Sequence, residues 1–85
     1  MNNRKHKCFD ENGELIITQK EQKAINTLKK LSKTWPNTIW IFAADGKLNI
    51  MKKNEDNYPA MNNKGSVDQD YIIEMIDIDA DGGDW

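Results

Sequence analysis

The 85-residue sequence has few of the residues that could cross-link a small domain or bind a structural metal ion. It has one cysteine, Cys8, which excludes an internal disulfide, and one histidine, His6, which with one cysteine is too few for a structural zinc site. No apolar run approaches the length of a membrane span, and none follows the basic residues 1–7 as a secretory signal would require. We therefore expect a small protein of the reducing cytoplasm that has no membrane partner.

Basic residues are absent from the last quarter of the chain, although the net charge is only −2. Residues 1–33 contain eight basic and four acidic residues, whereas residues 66–85 contain seven acidic residues and no Lys or Arg. This asymmetry can steer a charged partner towards the protein, and it can equally let the acidic end fold against the chain's own lysines.

One segment predicts an amphipathic helix from Thr18 to Trp35. Thr18 is followed three residues later by Glu21, which is the capping-box pattern, and Pro36 ends the helix. Apolar residues at spacings of three and four predict one apolar stripe, formed by Ala24, Ile25, Leu28, Leu31 and Trp35. The other side carries a set of lysines, here called the lysine face, formed by Lys23, Lys29, Lys30 and Lys33.

Three further segments predict β-strands at Thr38–Ala43, Lys47–Met51 and Tyr71–Ile78. The pair Asp45-Gly46 predicts that the first two strands form a hairpin, and Asn12-Gly13 predicts a small hairpin or turn before the helix. Alternation puts apolar residues on both faces of the third strand, which favours a central position in the sheet. One face holds Tyr71, Ile73 and Met75, and the other holds Ile72, Ile76 and Ile78 with Glu74. Residues 54–69 are polar and predict a long loop.

These elements predict an α+β fold with one amphipathic helix packed on a small antiparallel sheet of three to five strands. Residues 1–7 are expected to be a disordered basic arm, and residues 8–85 a single domain whose segment 79–85 is an acidic, flexible C-terminus. Strands that are apolar on both sides must be covered either by the rest of this chain or by a second copy in a homodimer.

The segment 77–82, with the sequence DIDADG, copies the opening of an EF-hand calcium loop. The copy is incomplete because the sequence ends at Trp85 before a twelfth-position Glu, because the eighth position is Asp84, and because a strand is predicted where an EF-hand has a helix. We therefore predict no bound metal and no other cofactor.

The sequence does not favour an enzyme. His6 lies in the predicted arm and Cys8 two residues after it, without an acid to orient the imidazole, and no pocket is indicated around the C-terminal carboxylates. The acidic residues and exposed aromatics favour instead a protein that occupies a basic, nucleic-acid-binding groove of its partner. The predicted partner-binding residues are Asp68, Asp70, Asp77, Asp79, Asp81, Asp84, Trp85 and Trp40.

Two alternatives stay open. Trp85 could fold back onto the sheet and complete the core instead of anchoring a partner. The lysine face could bind phosphates, so that the protein binds nucleic acid, although a pI near 5.3 and a single arginine count against this function.

From Leu28 onward the sequence resembles small phage and prophage proteins of low-GC Gram-positive bacteria. The resemblance is carried by the run LKKLSKTWPNTIWIFAADGKLNIMK and the terminal GGDW, and by a composition rich in Asn, Lys and Ile. It implies a bacterial host, and it implies that the partner is a host protein or nucleoprotein complex that this protein inhibits, as anti-CRISPR proteins do. It assigns no functional residue.

Overall fold

Residues 8–85, which are described by a computed structural model, form one α-helix and one open antiparallel sheet of three strands. The predicted α+β class and strand number are therefore confirmed. The described residues divide into two compact units, one that ends at Trp35 and one that spans Pro36–Trp85. The predicted disordered arm, residues 1–7, lies outside the described residues, and the packing of the helix on the sheet stays a prediction.

Helix α1 spans Gln19–Ser32 and begins with the predicted capping box. The Thr18 hydroxyl accepts a hydrogen bond from the Glu21 amide at 3.0 Å, and the Glu21 carboxylate accepts one from the Thr18 amide at 2.9 Å. No residue of the helix is buried, and Leu28 in the apolar stripe is 62% exposed. A helix of 14 residues is marginal in water without burial, so its cap supplies a large share of its local stabilisation.

The sheet contains β1 (Ile39–Ala44), β2 (Lys47–Lys52) and β3 (Ile72–Ile76) in the order β1-β2-β3. The turn between β1 and β2 consists of Asp45 and Gly46, which have φ values of 56° and 73°. Positive φ at both positions is typical of the type I′ turn, whose twist matches that of the flanking strands. The predicted hairpin is therefore confirmed.

The prediction that the third strand is central was wrong. β2 is the central strand and β3 is an edge strand, which is also shorter than the predicted Tyr71–Ile78. Ile73 and Met75 are 53% and 54% exposed, so β3 is not covered on both faces although its sequence is apolar on both. The position of a strand in a sheet depends on which strands pair with it, and the sequence of a single strand does not specify those partners.

The predicted alternation of β3 was also wrong in one respect. Glu74 opposes Ile50, but the pairing is irregular beside it, and Ile72 opposes Met51. One extra residue in β3 reverses the alternation at that point, as in a β-bulge. Ile72 therefore lies on the same face as Met75, whereas Glu74 and Ile76 lie on the other face.

Three five-residue loops share one hydrogen-bonding pattern, and we call them the Asx loops. They are residues 10–14, 54–58 and 62–66, and they begin with Asp10, Asn54 and Asn62. In each loop the first residue's backbone N–H donates to the carbonyl of the fifth, and the fourth residue's N–H donates to the carbonyl of the first. The Oδ1 of the first side chain accepts the N–H groups of the third and fifth residues.

The fourth position of every Asx loop has positive φ, which is 80° at Gly13, 65° at Asn57 and 80° at Gly65. Only glycine, and less readily Asn or Asp, adopts this conformation at low cost, so the residue type at that position follows from the backbone. The segment predicted to be one long loop is therefore two tight loops that begin eight residues apart, followed by a short 3-10 helix at Gln69–Tyr71.

The core lies within the second unit. Its buried apolar residues are Ala44, Ile50, Met51, Ala60 and Val67. Ala44 belongs to β1, and Ile50 and Met51 belong to β2. Ala60 lies between the second and third Asx loops, and Val67 follows the third. There the Asp68 amide donates to the Ala60 carbonyl at 2.9 Å, so the two loops are joined by backbone pairing as well as by burial.

Candidate partner-binding surface

Apolar and acidic side chains are exposed together on β3 and the residues that follow it. Ile73, Met75 and Ile78 are each more than half exposed, and Ile76 is 37% exposed. The acidic residues of the same region that are exposed are Asp70, Glu74, Asp77, Asp79, Asp81 and Asp84. Most of the predicted partner-binding carboxylates are thus accessible, and they lie beside apolar side chains that are also accessible.

Asp68 differs from the other predicted carboxylates because its side chain caps the 3-10 helix. Its Oδ1 accepts the Asp70 amide at 3.0 Å, and the residue is half-buried. A carboxylate used in this way satisfies a backbone donor that would otherwise lack a partner. The structure therefore gives Asp68 a local structural role that the sequence prediction did not include.

The last residues of the chain, 82–85, dock on β1, and we call this segment the tail. The Gly83 amide donates to the Ala43 carbonyl at 2.7 Å, and the Trp85 indole N–H donates to Oδ2 of Asp45 at 2.7 Å. The Trp85 ring meets the Phe42 ring edge to face, with a centroid distance of 4.9 Å and an interplanar angle of 71°. Both the indole N–H and the ring of Trp85 thus make contacts within the chain.

Gly83 is required by this docking for a steric reason. A Cβ atom at this position would lie 2.5 Å from the Ala43 carbonyl oxygen and 2.5 Å from a ring carbon of Phe42. The sequence analysis attributed no contact to Gly83, and it did not identify Asp45 as the acceptor of the indole proton. A terminal Gly-Gly followed two residues later by Trp was the available signal for close backbone approach.

Trp40, the other predicted aromatic anchor, is half-buried and lies beside Phe42 at a centroid distance of 5.6 Å. Its Nε1 is buried and has no acceptor among residues 8–85. Trp40, Phe42 and Trp85 therefore form a continuous row of rings within the second unit. All three residues are half-buried, so a smaller fraction of Trp40 is exposed than of Ile73 or Met75.

The central strand contains one buried polar side chain, which belongs to Asn49. It is 2% exposed, and its amide nitrogen donates to the carbonyls of Phe42 at 3.0 Å and Ala44 at 3.4 Å. A groove of about 260 Å³ lies beside it, and its lining residues include Asp45, Lys47, Gln69, Met75 and Trp85. Asn49 therefore ties β2 to β1 through a side chain in addition to the backbone ladder.

The calcium-like segment contains one hydrogen bond between adjacent residues. Oδ1 of Asp81 accepts the Gly82 amide at 2.8 Å, and Asp77 and Asp79 are exposed. Among residues 8–85 no group of three or more His, Cys, Asp or Glu side chains is placed to hold a metal ion.

The lysine face is accessible. Lys23, Lys29 and Lys30 are exposed residues of α1, and Lys33 is exposed at its C-terminal cap. Their helical spacing puts them on the side opposite the apolar stripe, as the sequence predicts. No helix among the described residues combines the length and hydrophobicity that crossing a membrane requires.

These arrangements supply contact surfaces of two kinds, one acidic and apolar and one basic. Comparison of the chain with protein-family models, with curated proteins and with solved structures finds no match.

Proposed function

We propose that this protein is not an enzyme and that it binds and inhibits a protein partner through the exposed acidic and apolar side chains of residues 70–84. The observation that supports this function is the exposure of Ile73, Met75 and Ile78 within a segment that has carboxylates and no Lys or Arg. Apolar side chains supply the favourable burial, and the carboxylates select a basic partner.

The partner that fits this surface is a bacterial host protein or nucleoprotein complex with a basic groove. Carboxylates can take the place of nucleic-acid phosphates in such a groove, and occupation of the groove would inhibit the partner by competition. The resemblance to phage proteins supports a host target and a site of action in the bacterial cytoplasm, and it supports inhibition as the outcome of binding.

The test is affinity capture from a bacterial lysate with an N-terminal tag, which leaves the tail unmodified, both with and without nuclease. The variant in which Asp77, Asp79 and Asp81 are changed to Asn should retain less of the captured protein and show a weaker dependence on salt. The matched control changes Glu11 and Glu55 to Gln and Asp56 to Asn, which removes the same charge from exposed positions elsewhere. Equal capture by both variants would show that Asp77, Asp79 and Asp81 do not contribute to binding of the partner.

A second candidate function is nucleic-acid binding by the lysine face, which is favoured by the exposure of all four lysines on one side of α1. Changing Lys29, Lys30 and Lys33 to Ala would then abolish retention on DNA, and material captured from the lysate would be lost on nuclease treatment. Retention of DNA by this variant would rule out the lysine face.

A further inference from the structure

The two edges of the sheet differ. The edge of β1 is occupied at its C-terminal end by the tail, through the hydrogen bond from the Gly83 amide to the Ala43 carbonyl. The outer edge of β3 pairs with no strand among residues 8–85. Alternate residues of an edge strand direct their N–H and C=O groups outward, so this edge offers backbone donors and acceptors to another chain.

The charges along the open edge disfavour self-association. Glu74 lies in the middle of β3, and Asp70 and Asp77 lie close to its two ends. Antiparallel pairing of two copies through this edge would place carboxylates opposite carboxylates, which destabilises a strand pair. A homodimer through β3 is therefore disfavoured, while a basic strand would find an opposite charge at Glu74.

We propose that the outer edge of β3 binds an extended basic segment of the partner as a fourth strand, a mode of recognition that rests on the protein-binding function proposed above. Backbone hydrogen bonds would supply the affinity, and the two faces of β3 would supply the selectivity. Glu74 and Ile76 lie on one face and Ile72 and Met75 on the other. The segment that fits has Lys or Arg on the first face and apolar residues on the second.

The test uses ten-residue synthetic peptides and the full chain. The first peptide alternates lysine and valine, and the second has the same sequence with two lysine and two valine backbone nitrogens methylated, so that neither edge keeps an unbroken row of donors. The third alternates glutamate and valine. We expect the first peptide to bind, methylation to weaken binding roughly tenfold or more through the loss of several backbone hydrogen bonds, and the third peptide not to bind.

Amide hydrogen exchange locates the bound peptide. On addition of the lysine–valine peptide, exchange should slow at β3 and stay unchanged at β1, where the tail already occupies the Ala43 carbonyl. Equal binding of the methylated peptide, or no slowing at β3, would show that the peptide attaches by charge alone and would overturn the proposal.

A charge reversal at the centre of β3 gives an independent test. Glu74→Lys should weaken binding of the lysine–valine peptide and allow the glutamate–valine peptide to bind, whereas the control Glu55→Lys in the second Asx loop should do neither. Unchanged preference in a Glu74→Lys protein with a wild-type circular dichroism spectrum would overturn the proposal. If this test fails while replacement of Asp77, Asp79 and Asp81 still reduces capture of a host protein, only strand addition is excluded and the proposed function stands.

Discussion

Replacement of Gly83 by alanine tests the docking of the tail on β1. The added Cβ would lie 2.5 Å from the Ala43 carbonyl oxygen, and real Cβ contacts essentially never fall below 3.0 Å. The obstructing atoms belong to backbone and to the ring of Phe42, which is held between Trp40 and Trp85. We therefore expect Gly83→Ala to displace the tail, because moving residues 82–85 disturbs less structure than moving β1.

The cost of this substitution is limited to what the docked tail contributes. The bond from the Gly83 amide contributes about 1 kcal/mol, and the bond from the Trp85 indole to the Asp45 carboxylate, which is solvent-exposed, contributes about 1 kcal/mol more. The edge-to-face contact of Trp85 with Phe42 contributes about 0.5–1.5 kcal/mol. Burial of part of the Trp85 ring adds to this gain and the ordering of residues 82–85 offsets much of it, so we expect the free energy of unfolding to fall by about 1–3 kcal/mol.

Urea denaturation followed by tryptophan fluorescence measures this change, and a double-mutant cycle with Trp85→Ala gives its mechanism. If Gly83→Ala displaces the tail, Trp85→Ala should cost little in that background, and the two effects should not add. Asp84→Ala, at an exposed position between them, is the matched control and should leave stability within about 0.5 kcal/mol of wild type. Additive effects of the two substitutions, or a loss below about 0.5 kcal/mol for Gly83→Ala, would refute the reasoning.

Four further substitutions test local elements. Thr18→Ala removes the capping-box acceptor and should lower the helix signal in far-UV circular dichroism, at a cost of about 1 kcal/mol. Asn62→Ala leaves two loop amides without their acceptor and should reduce the unfolding free energy by about 1–2 kcal/mol in urea. Asn57→Gly should be neutral or stabilising, and Gly65→Ala destabilising by about 1 kcal/mol, because both positions have positive φ.

The matched control for the cap is Thr18→Ser, which keeps the hydroxyl acceptor and should preserve the helix signal. For the third Asx loop, the control is Asn62→Asp, which keeps the Oδ1 acceptor that Asn62→Ala removes. Its stability should be close to that of the wild type, because Asp10 accepts the same two bonds in the first loop. Equal losses for Asn62→Asp and Asn62→Ala, or a destabilised Asn57→Gly, would mean that the shared loop pattern does not determine which residues these positions accept.

The features predicted correctly are those encoded over a few adjacent residues. The start of α1 follows from two side chains three positions apart, and the β1–β2 turn follows from the positive φ that Asp45 and Gly46 tolerate. The Asx loops were equally local, and the signal was present as Asp or Asn followed three residues later by Gly or Asn. The sequence analysis identifies it once, as the turn at Asn12-Gly13, and assigns the repeats at residues 54 and 62 to one long loop.

The features predicted wrongly depend on which segments meet. The edge position of β3 follows from its single neighbour β2, and the reversal at Ile72 follows from an irregular pairing with Met51. The alternation of apolar residues along one strand specifies neither the edge position nor the reversal. The tail shows the same limit for the site, since its contact with Asp45 joins residues 40 positions apart and could not be inferred from the terminal sequence.

The separation of the tail from β1 along the chain also has a consequence for folding rates. The Asx loops close over five residues and the β1–β2 turn over two, whereas the tail contacts β1 at a separation of 40 residues, which the pairing of β3 with β2 shortens only after the sheet has formed. Contacts that close long loops carry a larger entropic cost and form late when their absence does not prevent the rest from folding. We therefore expect displacement of the tail to accelerate unfolding and to leave the refolding rate nearly unchanged, so that residues 82–85 slow the opening of a sheet that forms without them.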